Sequence, residues 1–205
     1  MPGKDNMRKD KHRIFVAIYH RGLYSFGANR ALLGRAAYNW GFMVAPKGWV
    51  QRQLMSRTNP FFSYTYHATN EIDMNPATGM NNNPNGDWYF RREDGISRCG
   101  SNPLGLVMIG KLSRTIASVD VDIYENGFSE IEARLRTVPL PQRDATPQQN
   151  SVTWTIEAIR VLQNFGYANP FNLDEFMSWA LEYADERFQF PTSTEDMVNY
   201  IDRPM

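Results

Sequence analysis

The sequence predicts an α+β fold, in which an antiparallel sheet of about five strands packs with three helices. Two observations support this prediction. Short apolar and β-branched segments, one of them with a clear period of two, dominate residues 13–112. After residue 129 the apolar residues instead recur with the spacing of a helix. Strands followed by helices along one chain are typical of the α+β class.

Five segments have the pattern of strands: residues 13–19, 38–44, 61–68, 87–92 and 104–112. The third segment alternates most clearly, because an aromatic or apolar side chain occupies every second position. One of its faces carries Phe62, Tyr64, Tyr66 and Ala68, and the other carries Ser63, Thr65 and His67. The last segment is almost wholly apolar, which predicts a central strand.

Two connections between these strands are predicted to be loops. Residues 23–37 contain glycines and show no clean period, so we expect a loop with room for one helical turn. Residues 75–87 hold five asparagines, two prolines and two glycines, which is too much turn chemistry for a regular element. We therefore predict a mobile surface loop there.

Three segments of the C-terminal half read as helices. Ser129, with a carboxylate three residues on, forms a capping-box pattern that opens a short helix ending before Pro139. Residues 151–165 carry apolar groups on most of their circumference, so this helix should be largely buried. Residues 173–188 form an amphipathic helix that begins at Asn172 as its N-cap and lies on the sheet.

Composition and charge narrow the class of protein. The chain has 205 residues, 42% of them hydrophobic, which suffices for one substantial core. Its 22 basic and 22 acidic residues balance, so nucleic-acid binding is not indicated. No apolar run approaches the roughly 20 residues of a membrane span, and no apolar region follows the polar N-terminus as a secretory signal requires.

The same composition predicts the compartment and the domain organisation. A single cysteine, Cys99, and three histidines cannot build a zinc cluster, so we expect a cytoplasmic protein without a metal or another cofactor. We assign residues 1–12 to a flexible basic arm, residues 13–190 to one α+β domain, and residues 191–205 to an acidic C-terminal tail.

No short motif with a built-in mechanism is present, whether for a metal, a phosphate, a dinucleotide or a nucleophilic serine elbow. Isolated polar residues remain as candidates. Ser151 opens the most buried helix, where the helix dipole would stabilise a nucleophile or an oxyanion, but a helix cap is the alternative. His67 either shuttles a proton near neutral pH or donates a hydrogen bond to a loop. His20 either binds an anion beside Arg21 or is a turn residue, and Cys99 resembles a loop residue because no base lies near it.

Three local strings carry a resemblance to a known family. They are Tyr38-Asn-Trp-Gly-Phe-Met-Val before Pro46-Lys47, then Tyr66-His67, then Asn150-Ser-Val-Thr-Trp154 at a helix start. With them, residues 13–187 resemble a family of uncharacterised fungal proteins whose strings usually run Tyr-His-Trp and Asn-Cys-Val-Thr-Trp. Those strings are in turn similar to the permuted papain-like fold of the lecithin:retinol acyltransferase and NlpC/P60 groups, where a histidine on a strand precedes a cysteine at a helix N-terminus.

The resemblance implies that the old catalytic groups have been replaced. Asn39 stands at the position of the basic histidine, Ser151 at that of the nucleophilic cysteine, and His67 at that of a second, orienting histidine. An amide cannot accept a proton from a hydroxyl, and serine needs a base more than a thiol does, so thiol-type acyl transfer or peptidase activity is not expected. The remaining cleft, with Tyr38, Trp40, Tyr66 and Trp154 as apolar walls, is expected to bind a hydrophobic small-molecule substrate.

Three functional hypotheses follow. In the first, the pocket binds a hydrophobic metabolite of fungal secondary metabolism and acts as a cofactor-independent cyclase or isomerase by holding one reactive conformer. A hydrogen bond from Asn39, His67 or Ser151 to a developing oxyanion would assist. In the second, the cleft or the asparagine-rich loop is a non-catalytic scaffold that binds another protein. In the third, Ser151 is the nucleophile of a hydrolase or acyltransferase and His67 is its base.

Overall fold

The computed structural model describes residues 12–46, 63–94, 103–112, 130–189 and 197–200. These residues form a mixed fold of the α+β class, with a six-stranded sheet, four helices and two 3-10 turns. The strands are β1 (His12–His20), β2 (Tyr38–Pro46), β3 (Tyr64–Thr69), β4 (Tyr89–Asp94), β5 (Gly105–Lys111) and β6 (Met197–Asn199). The helices are α1 (Gly27–Leu33), α2 (130–136), α3 (Ser151–Asn164) and α4 (Leu173–Gln189), and the 3-10 turns are Gly22–Ser25 and Gly34–Ala37.

The strand order is β4-β3-β2-β1-β5-β6. Neighbouring strands run antiparallel except for β5 and β6, which are parallel. The strand β1 lies inside the sheet, where a strand is covered on both faces, and this explains its unbroken apolar run. The strand β5 is also interior, as its apolar sequence predicts.

Two predicted counts are wrong for the described part of the chain. The sheet has a sixth strand, β6, within the segment that the sequence assigns to an acidic tail. A fourth helix, α1, occupies residues 27–33, where a loop with one helical turn is predicted. No residue of α1 is buried, so its sequence carries no apolar period from which a helix can be recognised. The proposed cap Ser129, the strand residue Phe62 and Cys99 lie outside the described residues.

The main core lies between one face of the sheet and the helices. Alternate residues of β1, β2 and β3 face α3 and α4, as the predicted alternation of β3 requires. The helix α3 crosses β2 and β3, whereas α4 lies against β5. The opposite face of the sheet carries a second buried cluster, formed by Phe15, Ala17, Tyr19, Met43, Ala45, Leu106 and Met108.

Two glycines of β5 allow other parts of the chain to approach this strand closely. A Cβ atom at Gly110 would lie 1.9 Å from the backbone oxygen of Tyr167, and one at Gly105 would lie 2.3 Å from the ring of Tyr183. The connection between α3 and α4 therefore rests directly on β5, where the N–H of Asn169 donates to the carbonyl oxygen of Ile109 at 3.0 Å. Neither position has room for a side chain.

None of the helices in the described ranges combines the length and the apolar character that a membrane span requires.

Candidate functional site

A pocket of about 450 Å³ lies at one end of the sheet. Because β1 to β4 are antiparallel, the last residues of β1 and β3 meet the first residues of β2 at this end, and the N-terminus of α3 closes one side. The 3-10 turn Gly22–Ser25 and the loop that follows β3 supply the rest of the wall. The lining residues come from segments 19–24, 36–40, 67–71 and 150–151 and from Trp88, which are five separate parts of the chain.

The pocket brings together Asn39, His67 and Ser151, the three residues singled out in the sequence as catalytic candidates. Trp40, a candidate substrate-binding residue, also lines it. Side chains alternate along β2 and β3, so Asn39 and His67 belong to the face opposite the helices while Trp40 faces them. The pocket therefore reaches both faces of the sheet where the strands end.

Three of the predicted substrate-binding residues, Tyr38, Tyr66 and Trp154, lie in the main core and are absent from the pocket lining. The hydroxyl of Tyr38 donates to Asp185 Oδ1 at 2.6 Å, and Arg30 Nε donates to the same oxygen at 2.7 Å. Burial raises the pKa of Tyr38, and the Asp185 carboxylate raises it further. Burial alone would raise the pKa of Asp185, but the hydrogen bonds from Arg30 and Tyr38 lower it. Tyr38 thus joins β2 to α4 and α1.

The imidazole of His67 is half-buried and lies beside charged groups. It pairs across the strands with Arg91 of β4, and Arg91 Nε contacts Glu93 Oε1 of the same strand at 2.8 Å. Burial lowers the pKa of His67 to about 4, although the Glu93 carboxylate acts in the opposite direction and the Arg91 charge adds to the lowering. The ring is therefore uncharged at neutral pH.

The space for His67 depends on a glycine of the neighbouring strand. A Cβ atom at Gly41 would lie 2.9 Å from the Cβ atom of His67 and 2.8 Å from the backbone oxygen of Tyr66. Only glycine at this position lets the two strands pair with the imidazole in place. Nothing in the sequence pattern of residues 38–44 marks Gly41 as a site residue.

Ser151 is the first residue of α3, and the helix is capped by its neighbour. Asn150 Oδ1 accepts hydrogen bonds from the N–H groups of Val152 at 2.9 Å and Thr153 at 3.4 Å. The hydroxyl of Thr153 accepts from the N–H of Asn150 at 2.9 Å, which completes a reciprocal capping box. Ser151 itself is buried and forms no side-chain hydrogen bond with any residue of the described segments. Its hydroxyl is consequently available to a ligand.

Replacing Asn150 with alanine is expected to lower the free energy of unfolding by about 1 kcal/mol, because two N–H groups lose their acceptor. Asn150→Asp keeps an acceptor oxygen and should stay close to the wild type. Urea unfolding followed by circular dichroism measures both variants. Equal stability of the alanine variant and the wild type would show that the cap does not hold this end of α3.

Glu71 is a pocket residue that the sequence reasoning missed. The amide Nδ2 of Asn39 donates to Glu71 Oε1 at 3.4 Å, and Arg91 Nη1 lies 4.0 Å from Glu71 Oε2. The backbone of Glu71 is held as well, because its N–H donates to Thr69 Oγ1 at 3.2 Å. Asn39 thus contacts a carboxylate, which no pattern along the sequence indicates.

The asparagine-rich loop holds Glu71 from the other side. Asn83 Nδ2 donates to the carbonyl oxygen of Glu71 at 3.1 Å, and Asn83 Oδ1 accepts from the N–H of Asp87 at 2.9 Å. Asn75 Oδ1 accepts from two N–H groups of the following turn, and Asn81 Oδ1 accepts from Asp73 and Asn83. The loop lies on the surface, as predicted, and its asparagines act as side-chain hydrogen-bonding groups that fold it onto itself.

His20 and Arg21 also border the pocket, but their observed contacts fit a turn. His20 Nδ1 accepts from the N–H of Gly22 at 3.2 Å, and the ring stacks on Phe188 at a centroid distance of 5.0 Å. Arg21 Nη1 donates to the carbonyl oxygen of Ala36 at 2.7 Å. Within the described segments, no group of three histidine, cysteine or acidic residues is placed to hold a metal ion.

Comparison with known proteins gives a family but no activity. No curated protein and no solved structure is significantly similar to this chain. A family model described as "Family of unknown function (DUF6914)" matches residues 11–189, a range that contains every described element from β1 to α4. The chain therefore belongs to the DUF6914 family, a family of unknown function.

Proposed function

We propose that this protein binds a hydrophobic metabolite in the pocket and, without a cofactor, promotes its cyclisation or isomerisation. One observation carries the proposal: Asn39, His67 and Ser151, which lie on three separate elements, line a single pocket of about 450 Å³. This volume is in the range of small-molecule sites, which combine apolar walls with a few polar groups.

The pocket wall is partly polar and partly aromatic, and the aromatic part offers a surface to an apolar ligand. Trp88 and Tyr24 supply aromatic surface, while Ser151 supplies a hydrogen-bond donor. The uncharged imidazole of His67 can also donate one N–H, as a neutral histidine does. Each donor aimed at a developing oxyanion contributes about 3 kcal/mol to lowering the barrier. Holding the ligand in one reactive conformer lowers a unimolecular barrier further.

The proposal includes a degenerate papain-like architecture. The chain order supports it, because the strands that carry Asn39 and His67 precede a helix with Ser151 at its N-terminus. In this interpretation the pocket is the remnant of a cleft that has lost its basic histidine and its cysteine. A place in fungal secondary metabolism and a cytoplasmic location complete the proposal, supported by the sequence resemblance and by the single cysteine.

The product of an isomerisation has the same molecular mass as its substrate, and this property gives a direct test of the proposed activity. The purified protein is incubated with the small-molecule fraction of cells from which its gene has been deleted, since the substrate should accumulate there. Liquid chromatography with mass spectrometry should show one compound replaced by another of identical mass and different retention time. Ser151→Ala and His67→Ala should slow the conversion at least about 10-fold, because each removes an oxyanion donor. If no compound that disappears has the same mass as a compound that appears, the proposal is wrong.

A second candidate function is a serine hydrolase or acyltransferase, favoured by the free hydroxyl of Ser151 at a helix N-terminus. Against it, Ser151 has no hydrogen bond to His67, which an activated serine needs in its reacting complex. We expect no labelling of Ser151 by a fluorophosphonate probe, and labelling that is lost in Ser151→Ala would establish this alternative instead.

If the protein is instead a non-catalytic scaffold, the variants Asn39→Ala, His67→Ala and Ser151→Ala should leave its cellular function intact.

A further inference from the structure

Glu71 is the one acidic side chain among the described residues that line the pocket. Each of its two carboxylate oxygens has a different neighbour: Oε1 accepts from Asn39, and Oε2 lies 4.0 Å from Arg91 Nη1. Each carboxylate oxygen therefore faces a neighbouring side chain. The side chain is still 54% exposed, so it remains open to a ligand in the pocket.

We propose that Glu71 is the catalytic proton-transfer residue of this pocket, and that the substrate is a carbonyl compound with an acidic C–H bond next to its carbonyl group. This inference rests on the proposed function, because it concerns the same pocket and the same isomerase activity. None of Asn39, His67 and Ser151 is assigned as a proton acceptor, and Glu71 supplies one. The inference also names the chemical class of the ligand.

The other polar side chains of the pocket are poor proton acceptors. The amide of Asn39 is not a base, and the hydroxyl of Ser151 is a donor unless another group deprotonates it. His67 resists protonation because of its burial beside Arg91. Glu71 supplies the carboxylate, and Arg91 does not neutralise it alone, because Arg91 also pairs with Glu93 at 2.8 Å.

The proposed step balances without any oxidant, reductant or second reactant. Glu71 accepts the proton from the carbon next to the carbonyl group, and the electron pair of that C–H bond forms a C=C bond. The carbonyl π pair moves to oxygen, which becomes an enolate that accepts hydrogen bonds from Ser151 and His67. When the substrate also carries a C=C bond β,γ to its carbonyl group, the enolate is a dienolate, and the protonated Glu71 returns the proton to the γ-carbon; this regenerates the carboxylate and yields the conjugated isomer of equal mass.

Asn39 acts in this scheme as a positioning residue. Its amide does not touch the substrate but holds Glu71 Oε1, so that the carboxylate faces the pocket. Asn39→Ala should therefore lower the rate of proton transfer and leave ligand binding nearly unchanged. A merely structural role would instead change binding and stability together.

The test uses 2-tetralone, an apolar ketone with an acidic C–H bond, and the full-length protein in D₂O. Saturation-transfer NMR measures binding of this probe, and loss of the C1 proton signal measures exchange. We expect the wild type to exchange at least about 10-fold faster than Glu71→Gln, with equal binding. Glu157→Gln, the same substitution on the exposed face of α3, is the matched control and should exchange at the wild-type rate.

The outcomes separate this inference from the proposed function. Binding of 2-tetralone with equal exchange rates in the wild type and Glu71→Gln would overturn the role of Glu71 but leave the pocket as a ligand site. Absence of binding to the wild type would overturn both. Equal slowing in Glu71→Gln and Glu157→Gln would show that general loss of charge, rather than this carboxylate, causes the effect.

Discussion

Replacing Gly110 with alanine is expected to lower the free energy of unfolding by more than about 3 kcal/mol. The added Cβ atom would lie 1.9 Å from the backbone oxygen of Tyr167, well inside the distance at which atoms touch. A flexible side chain could turn away, but this neighbour is backbone and is tied to β5 by the hydrogen bond from Asn169 to Ile109. The connection between α3 and α4 must therefore lift from the sheet. Urea unfolding measures the loss.

Gly79→Ala is the matched control for this prediction. Gly79 has a φ of +68°, but a Cβ atom there would meet nothing within 4 Å. We expect that variant to lose only about 1 kcal/mol, from backbone strain alone. The two variants separate a steric clash from the intrinsic preference of glycine. Equal losses at the two positions would contradict the close approach at Gly110.

Acidification from pH 7 to pH 4 is expected to cost about 3 kcal/mol of stability through His67 alone. The pKa of this histidine is about 4 in the folded protein, against about 6.5 in the unfolded chain. The unfolded state therefore binds more protons than the folded state below pH 6.5. The contribution of His67 to the free energy of unfolding is fully present above pH 6.5, and it falls progressively as the pH decreases to 4. Urea unfolding at several pH values measures this slope.

His67→Gln should flatten the dependence between pH 6.5 and pH 4, because glutamine has no proton to bind. Asp185 does not obscure this window, since its hydrogen bonds lower its pKa below the ordinary value of 3.8 and its contribution is lost only at lower pH. An unchanged slope in His67→Gln would mean that the imidazole is not buried uncharged. Measurement in 0.5 M salt as well would show whether Arg91 and Glu93 contribute through their charges.

The central strands could be predicted because their buried positions carry apolar residues in a regular pattern. Every second residue of β3 meets the helices, so the run from Tyr64 to Ala68 shows its two faces directly. The interior strand β5 is apolar throughout for the same reason. The helix α1 buries nothing, and its sequence consequently shows no period. The strand β6 has three residues and lies at a sheet edge, which is too short for an alternation to appear.

The candidate site was predicted in part. His67 is visible along the chain as a polar residue of an aromatic strand and Ser151 as the first residue of an apolar helix, whereas Asn39 is singled out only by the family resemblance. Glu71 belongs to a loop rich in polar residues, where one more carboxylate is inconspicuous. Its significance comes from contacts with Asn39 on β2 and Arg91 on β4, which are set by strand pairing. The resemblance places Tyr38 and Trp154 in the cleft, but the structure places both in the main core, and no pattern along the sequence tells which apolar residue borders a cavity.

The parallel pairing of β5 with β6 bears on how this protein is synthesised. Leu106, Val107 and Met108 are synthesised well before their partners on β6, so one edge of β5 stays unpaired until β6 has emerged. The backbone groups along that edge of β5 are then open to strands of other nascent chains. Protection of this edge by a chaperone until β6 pairs with it would limit aggregation during translation.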